Sequence, residues 1–148
     1  MFDRLRRLMD SVFGAILGGA CYGSWACFVN WSAGQDVAIR IGFTHFLMST
    51  GLTLAGVKIM NFLFRLGRTP RLGACIAFSG SMAFTYTLLI SVHHLIGTPH
   101  ILITLAPGFI PTVSFCTVYP LLLLRQSRQE RIAASHTEVA DEVAPVIR

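Results

Sequence analysis

Charged side chains are scarce in this chain of 148 residues, and they are unevenly placed. Asp, Glu, Lys and Arg make up 13% of it, hydrophobic residues make up 53%, and the mean hydropathy is +0.62. None of the four charged types occurs between Arg71 and Arg125, a run of 53 residues. About 20 apolar residues cross a bilayer once as a helix, so this run has room for two crossings. The composition excludes an ordinary soluble domain and predicts an integral membrane protein.

Reactive motifs are also missing from the sequence. No metalloprotease, hydrolase or phosphotransferase motif occurs, and the cysteines form no CxxC pair. No Asp or Glu lies within a long apolar stretch, which excludes proton exchange through a membrane glutamate, the route used by the small multidrug resistance family. The sequence therefore predicts no catalytic residues. We interpret the cysteines as small apolar residues of the interior: Cys21, Cys27, Cys75 and Cys116.

Four apolar stretches are long enough to cross a bilayer as helices. They run from about residue 11 to 29, 41 to 64, 72 to 92 and 101 to 124. They predict an all-α bundle of four transmembrane helices that occupies residues 11–124. Apolar and basic residues alternate in 1–10, which indicates an interfacial segment, and the polar residues of 125–148 indicate a disordered tail.

The basic residues are divided unequally between the two sides that four spans define. Only Arg40, of 12 basic residues, lies on the side away from the termini. The others are Arg4, Arg6, Arg7, Lys58, Arg65, Arg68, Arg71, Arg125, Arg128, Arg131 and Arg148. Because basic loops stay in the cytoplasm, this bias predicts cytoplasmic termini. These residues form no aromatic-interleaved basic face, so nucleic acid is not an expected partner.

The length and the four-span plan resemble those of small bacterial inner-membrane proteins. We therefore expect the chain to lie in a bacterial inner membrane, with membrane lipids around it. The first span carries overlapping GxxxG patterns, which let a neighbouring helix approach closely within the chain, in a second copy or in another membrane protein. The residues expected to mediate this packing are Gly14, Gly18, Gly19 and Gly23.

Prolines interrupt the fourth predicted span. Pro107 and Pro111 lie one helical turn apart, and they predict a kink or a break. Each proline leaves the carbonyl four residues before it without the usual helical donor, and such a group needs another donor in hydrocarbon. We expect that donor to come from the nearest polar side chains, which are Thr104, Thr112 and Ser114.

Polar side chains recur at helical spacing in the second, third and fourth spans. The set comprises His45, Ser49, Thr53, Ser79, Tyr86, Thr104 and Thr112. This spacing places the members within each span on one side of the helix. Such residues either mediate helix packing or line a groove for an amphiphile or an ion, and we take them as the candidate substrate-binding residues.

Four of the five histidines fall at the outer ends of the predicted spans: His45, His93, His94 and His100. Three interpretations are open for histidines there. They hydrogen-bond to headgroups and water, they bind a transition metal or a haem with Asp36 or Cys27 nearby, or they have a proton-linked role. The spacing matches no ligand motif, so the sequence requires no cofactor.

Three functions remain open at this point. The preferred one is a transport or lipid-handling subunit that uses the polar helix interior. The second is a non-catalytic subunit that stabilises a larger membrane complex. The third is a membrane redox protein that binds haem or metal through the outer histidines.

Overall fold

The computed structural model describes residues 12–143, and four long helices make up nearly all of this part of the chain. They are α1 (Val12–Val29), α2 (Gln35–Arg65), α3 (Pro70–Leu95) and α4 (Ile101–Val143), with a short 3₁₀ turn at Trp31–Ala33. Each helix is long and apolar enough to cross a membrane. The all-helical class and the four long apolar helices predicted from the sequence are confirmed. The segment 1–10 lies outside the described residues.

Local sequence explains where the middle helices begin. Thr69 caps α3 by accepting a hydrogen bond from the Leu72 amide, and Pro70 occupies the first turn, where its missing amide hydrogen costs nothing. Helix α2 begins six residues before the predicted position. Gly34, with φ of +108°, makes the turn before it, and Asp36 in its first turn interacts favourably with the helix dipole.

Short turns reverse the chain between consecutive helices, so neighbouring helices run antiparallel. The end of α1, the start of α2, the end of α3 and the start of α4 therefore meet at one end of the bundle. We call this the histidine end, because His45 and His93 contact each other there. The opposite end carries Arg65, Arg68 and Arg71 around the turn between α2 and α3.

Helices α1 and α2 pack with their backbones close together. A Cβ atom added at Gly23 would lie 2.7 Å from the Gly42 carbonyl oxygen, and one added at Gly19 would lie 2.9 Å from the Phe46 carbonyl oxygen. The other two glycines of the first span have a different position. Gly14 and Gly18 line a cavity, and no atom lies within 4 Å of a Cβ added at Gly18. The glycines of the GxxxG pattern therefore lie on two sides of α1: Gly19 and Gly23 pack against α2, and Gly14 and Gly18 line the cavity.

Helix α4 runs without a break through Pro107, Pro111 and Pro120. The carbonyl of Ile103, which loses its helical donor to Pro107, accepts a hydrogen bond of 3.0 Å from the Trp25 indole nitrogen. The substitute donor thus comes from α1, and the predicted donors Thr104, Thr112 and Ser114 do not supply it. The continuous helix excludes the broken form within the described residues, and the kink stays a prediction.

Residues 125–143 continue α4, whereas their polar composition predicts a disordered tail. The Gln126 side chain donates to the Glu130 carboxylate at 3.0 Å, one turn further along. Ala133 and Ala134 add strong helix propensity. The predicted end of the membrane domain at residue 124 therefore lies within α4 and does not coincide with the end of a helix. Residues 144–148 lie outside the described part of the chain.

Candidate functional site

A cavity of about 510 Å³ lies between the four helices, and all four contribute to its wall. Its polar lining residues are Tyr22, His45, Ser49, Thr53, Ser81, Thr85, Tyr86, Thr112 and Ser114. The rest of the wall is mostly aliphatic, aromatic and glycine. None of the described residues that line the cavity is Asp, Glu, Lys or Arg. The wall therefore offers hydroxyl and imidazole groups that can hydrogen-bond to a ligand, and the rest of its surface is apolar.

Five of the seven candidate substrate-binding residues come together around this cavity: His45, Ser49, Thr53, Tyr86 and Thr112. The other two lie elsewhere. Ser79 is exposed and donates to the Cys75 carbonyl at 2.8 Å. Thr104 is buried at the histidine end, where it donates to the His100 carbonyl at 2.7 Å.

The cavity is elongated along the helix axes. On α2 its lining extends from His45 to Met60, which are 15 residues and therefore roughly 22 Å apart in an α-helix. Polar residues occur along most of this length, and Ile59, Met60 and Val118 line the part farthest from the histidine end. A long, narrow molecule with some polar groups would match this shape.

A buried histidine pair joins α2 to α3 at the histidine end. Nδ1 of His45 lies 2.8 Å from Nε2 of His93, and Nδ1 of His93 lies 2.8 Å from the Thr98 hydroxyl. His45, His93 and Thr98 are 4%, 0% and 6% exposed, so water does not compete for these bonds. In each bond one partner donates and the other accepts. The chain of bonds therefore joins α2 to the end of α3 and to the turn that follows it, and His45 also lines the cavity.

The pair is arranged for a shared proton rather than for a shared metal ion. Two nitrogens that bind one ion at 2.0–2.1 Å each lie roughly 3.3–4 Å apart, which is longer than the observed 2.8 Å. His94 and His100, the other two proposed ligands, are exposed. Among the described residues, no group of three or more His, Cys, Asp or Glu could hold a metal ion.

A second polar bridge joins α1 to α4 at the same end. The buried Asn30 side chain donates to the Ala26 carbonyl at 2.8 Å and to the Thr104 hydroxyl at 2.9 Å, and it accepts from the His100 amide at 3.4 Å. Asn30 is not among the site residues predicted from the sequence, because it falls just outside an apolar stretch. Its one sequence signal is that it is the first strongly polar residue after that stretch.

Ser81, which is 5% exposed and lines the cavity, is not among the residues predicted from the sequence. The predicted set contained Ser79 and Tyr86 from this helix, which are seven residues apart, whereas Ser81 and Thr85, which are four residues apart, both line the cavity. Ser79 and Ser81 differ by about 200° around the helix, so they face opposite sides.

No known protein family, curated protein or solved structure matches the chain.

Proposed function

We propose that this chain is a four-span membrane protein that binds an uncharged, elongated amphiphile in the cavity and acts as a lipid-handling or transport subunit. The observation that carries the proposal is the cavity itself, about 510 Å³ between all four helices, with no charged side chain among the described lining residues. Ligand pockets commonly have volumes of about 300–1,000 Å³ and a mostly apolar wall with a few polar groups.

The wall chemistry favours an uncharged ligand. A ligand with an ionised headgroup would move that charge from water into an apolar cavity that has no opposite charge. Burying an unpaired charge in this way is strongly unfavourable. The hydroxyl groups of Ser49, Thr53 and Thr112 suit neutral oxygen atoms instead. A proton-coupled mechanism through a buried carboxylate finds no support in this wall.

The contacts of the first helix support entry of a ligand into the cavity from the bilayer. Its side-chain hydrogen bonds to α4, from Trp25 and Asn30, lie at the histidine end. Further along α1, glycines border the cavity, and Gly18 leaves open space next to the helix. A lipid chain would therefore enter beside α1, away from the histidine end.

The location and orientation are part of the same proposal. Four apolar helices of sufficient length support insertion into a membrane. The excess of basic residues on the side of the termini supports cytoplasmic ends, and the small four-span plan supports a bacterial inner membrane. The packing glycines Gly19 and Gly23 are already in contact with α2, so they give little support to docking of a second protein through this face.

The test fills the cavity without disturbing the helix packing. Gly18→Leu places a side chain where no atom lies within 4 Å of the new Cβ, and it points into the cavity. Gly51→Leu is the matched control, because Gly51 is exposed, has the same free space and does not line the cavity. Each protein is purified in mild detergent, and the lipids that it carries are extracted and measured by mass spectrometry.

We expect one class of uncharged lipid to be enriched with the wild type and with Gly51→Leu, and to fall at least tenfold with Gly18→Leu. Equal amounts in all three proteins would contradict the proposal. Loss of a co-purifying protein from Gly18→Leu, with the lipid unchanged, would support the stabilising-subunit function instead.

A further inference from the structure

Two polar side chains lie next to each other where the cavity meets the histidine end. His45 on α2 and Tyr22 on α1 both line the cavity. Their rings meet edge to face, with centroids 6.5 Å apart and planes at 82°. Ser49 lies one turn further along α2 and also lines the cavity. An imidazole and two hydroxyl groups, carried by two helices, are therefore present in one region of the wall.

The His45 ring is held in one orientation and has a second nitrogen to offer. Its Nδ1 lies 2.8 Å from Nε2 of His93, in a buried bond. The described hydrogen bonds of His45 do not use its other nitrogen, Nε2. This atom is not enclosed either, since the Ser81 oxygen is the one enclosed side-chain polar atom without a partner among residues 12–143. Because His45 is 4% exposed and lines the cavity, Nε2 has the cavity as its open side.

The bonds of the histidine pair decide what Nε2 of His45 can do. If the Thr98 hydroxyl donates to Nδ1 of His93, then Nε2 of His93 donates to His45, and Nε2 of His45 carries a hydrogen. If both bonds run the other way, Nε2 of His45 has no hydrogen and accepts. Both arrangements are neutral and satisfy the whole chain of bonds. A ligand hydroxyl fits either arrangement, because it can both donate and accept.

On α1 and α2 the cavity wall becomes less polar away from this end. The lining of α1 passes from Tyr22 to Gly18, where no atom lies within 4 Å of an added Cβ. The lining of α2 passes from His45 to Met60, over roughly 22 Å of helix. This length is a large part of the hydrocarbon core, which is about 30 Å thick. A long chain can therefore lie along the cavity while its head is at the histidine end.

We propose that His45 and Tyr22 hold the head of the cavity's ligand, and that this ligand is a long-chain molecule with an uncharged hydroxyl head. This inference rests on the proposed function. The chain of the ligand lies along the cavity towards Met60. The buried bond to His93 fixes the His45 ring beforehand, so little conformational freedom is lost when the head binds. An ionised head has no opposite charge among the described lining residues.

The first experiment measures which head the cavity prefers. Binding of tritiated 1-hexadecanol to the purified full-length protein is measured by scintillation proximity in detergent. The unlabelled competitors have the same chain length: 1-hexadecanol, 1-methoxyhexadecane, hexadecane and hexadecanoate. We expect the alcohol to compete best and the carboxylate least. The ether cannot donate and the alkane can neither donate nor accept, so both should compete about three- to tenfold less well than the alcohol.

Variants connect this preference to the two residues. Tyr22→Phe keeps the ring beside His45 and removes only the hydroxyl, so it should weaken 1-hexadecanol binding about three- to tenfold with little change in thermal stability. His45→Asn keeps an amide near the position of Nδ1 but has no group at the position of Nε2, and it should remove the advantage of the alcohol over the ether. His94→Asn is the matched control. His94 is exposed and does not line the cavity, so this variant should bind like the wild type.

The second experiment tests the direction of the ligand without relying on affinity. Two derivatives of 1-hexadecanol carry a photoreactive diazirine, one next to the hydroxyl and the other at the far end of the chain. After illumination, mass spectrometry of the digested protein identifies the labelled residues. We expect the first probe to label the region of Tyr22 and Ser49, and the second to label the region of Ile59 and Met60. The reverse pattern, or the same pattern with both probes, would overturn the inference.

Failure of this inference can be told apart from failure of the proposed function. If the wild type binds none of the uncharged probes, the proposed function itself is contradicted. If it binds the alcohol, the ether and the alkane equally, and Tyr22→Phe changes nothing, the cavity binds apolar chains without a head site at His45. That result would overturn this inference and leave the proposed function in place. If His45→Asn does not fold, Tyr22→Phe and the photolabelling decide the question.

Discussion

At the scale of single residues, the buried polar side chains described at the histidine end are hydrogen-bonded to one another, mostly across helices. His45 bonds to His93, His93 bonds to Thr98, and Asn30 bonds to Thr104. The first and last of these bonds join groups that are far apart in the sequence, whereas His93 and Thr98 are five residues apart. Polar pairs of this kind stabilise one specific arrangement of helices, because any shift leaves a buried group without its partner.

Two adjacent histidines provide a matched test of this pairing. His93→Ala removes a fully buried ring and leaves the His45 nitrogen and the Thr98 hydroxyl without their partner. We expect the free energy of unfolding to fall by about 2–4 kcal/mol. His94→Ala changes an exposed ring and should alter it by less than about 0.5 kcal/mol. Unfolding by SDS in mixed micelles measures both, and equal effects of the two variants would contradict the buried pair.

Residue-scale prediction from the sequence was strongest where helical spacing applied. His45, Ser49 and Thr53 repeat every four residues on α2, and all three line the cavity. Spacing within one helix cannot predict which residue of another helix lies opposite. It therefore could not predict the bond between Trp25 and Ile103, because that contact depends on how α1 packs against α4.

At the scale of secondary-structure elements, α4 depends on α1 where its prolines weaken it. Pro107 cannot donate to the Ile103 carbonyl, and Trp25 donates to this carbonyl instead. The indole also packs against Phe28 at its own end of α1, with ring centroids 6.2 Å apart. The two helices are thus joined at the point where α4 lacks one of its own bonds.

A double-mutant cycle tests this compensation. Trp25→Phe keeps an aromatic ring but removes the donor, so it should lower the free energy of unfolding by about 1–3 kcal/mol. In a Pro107→Ala background, residue 107 supplies the usual helical donor to Ile103, and Trp25→Phe should then change stability by less than about 0.5 kcal/mol. Unfolding of the four proteins in mixed micelles gives the coupling. Additive effects would show that Trp25 does not replace the missing helical bond.

The sequence predicted the existence of the four helices better than their ends. Long runs of mainly apolar residues define the apolar part of each helix, because that part is set by composition. The ends depend on other features. Helix α2 begins at Gln35 and α4 extends to Val143, in both cases through polar residues that favour a helix without being apolar. A hydropathy pattern alone does not report such extensions.

At the scale of the whole molecule, the proposed orientation follows from charge. Reporter fusions after Arg68 and Arg128 should read as cytoplasmic, and fusions after Asp36 and Thr98 should read as external, because only Arg40 opposes the basic residues on the side of the termini. Alkaline phosphatase and green fluorescent protein fusions give opposite signals on the two sides and control for expression. A cytoplasmic signal at Asp36 would reverse the proposed orientation.

The central claim is that the four helices enclose a specific site for one uncharged amphiphile. Native mass spectrometry tests it most directly, because it counts the ligands that remain on each protein molecule. Gly18 and Gly108 both line the cavity and have no atom within 4 Å of an added Cβ, so a double Gly→Leu variant fills the cavity from α1 and from α4. The account predicts one bound uncharged lipid on the wild type and on Gly51→Leu, and none on the double variant. The same lipid at the same occupancy on a correctly folded double variant would contradict the account.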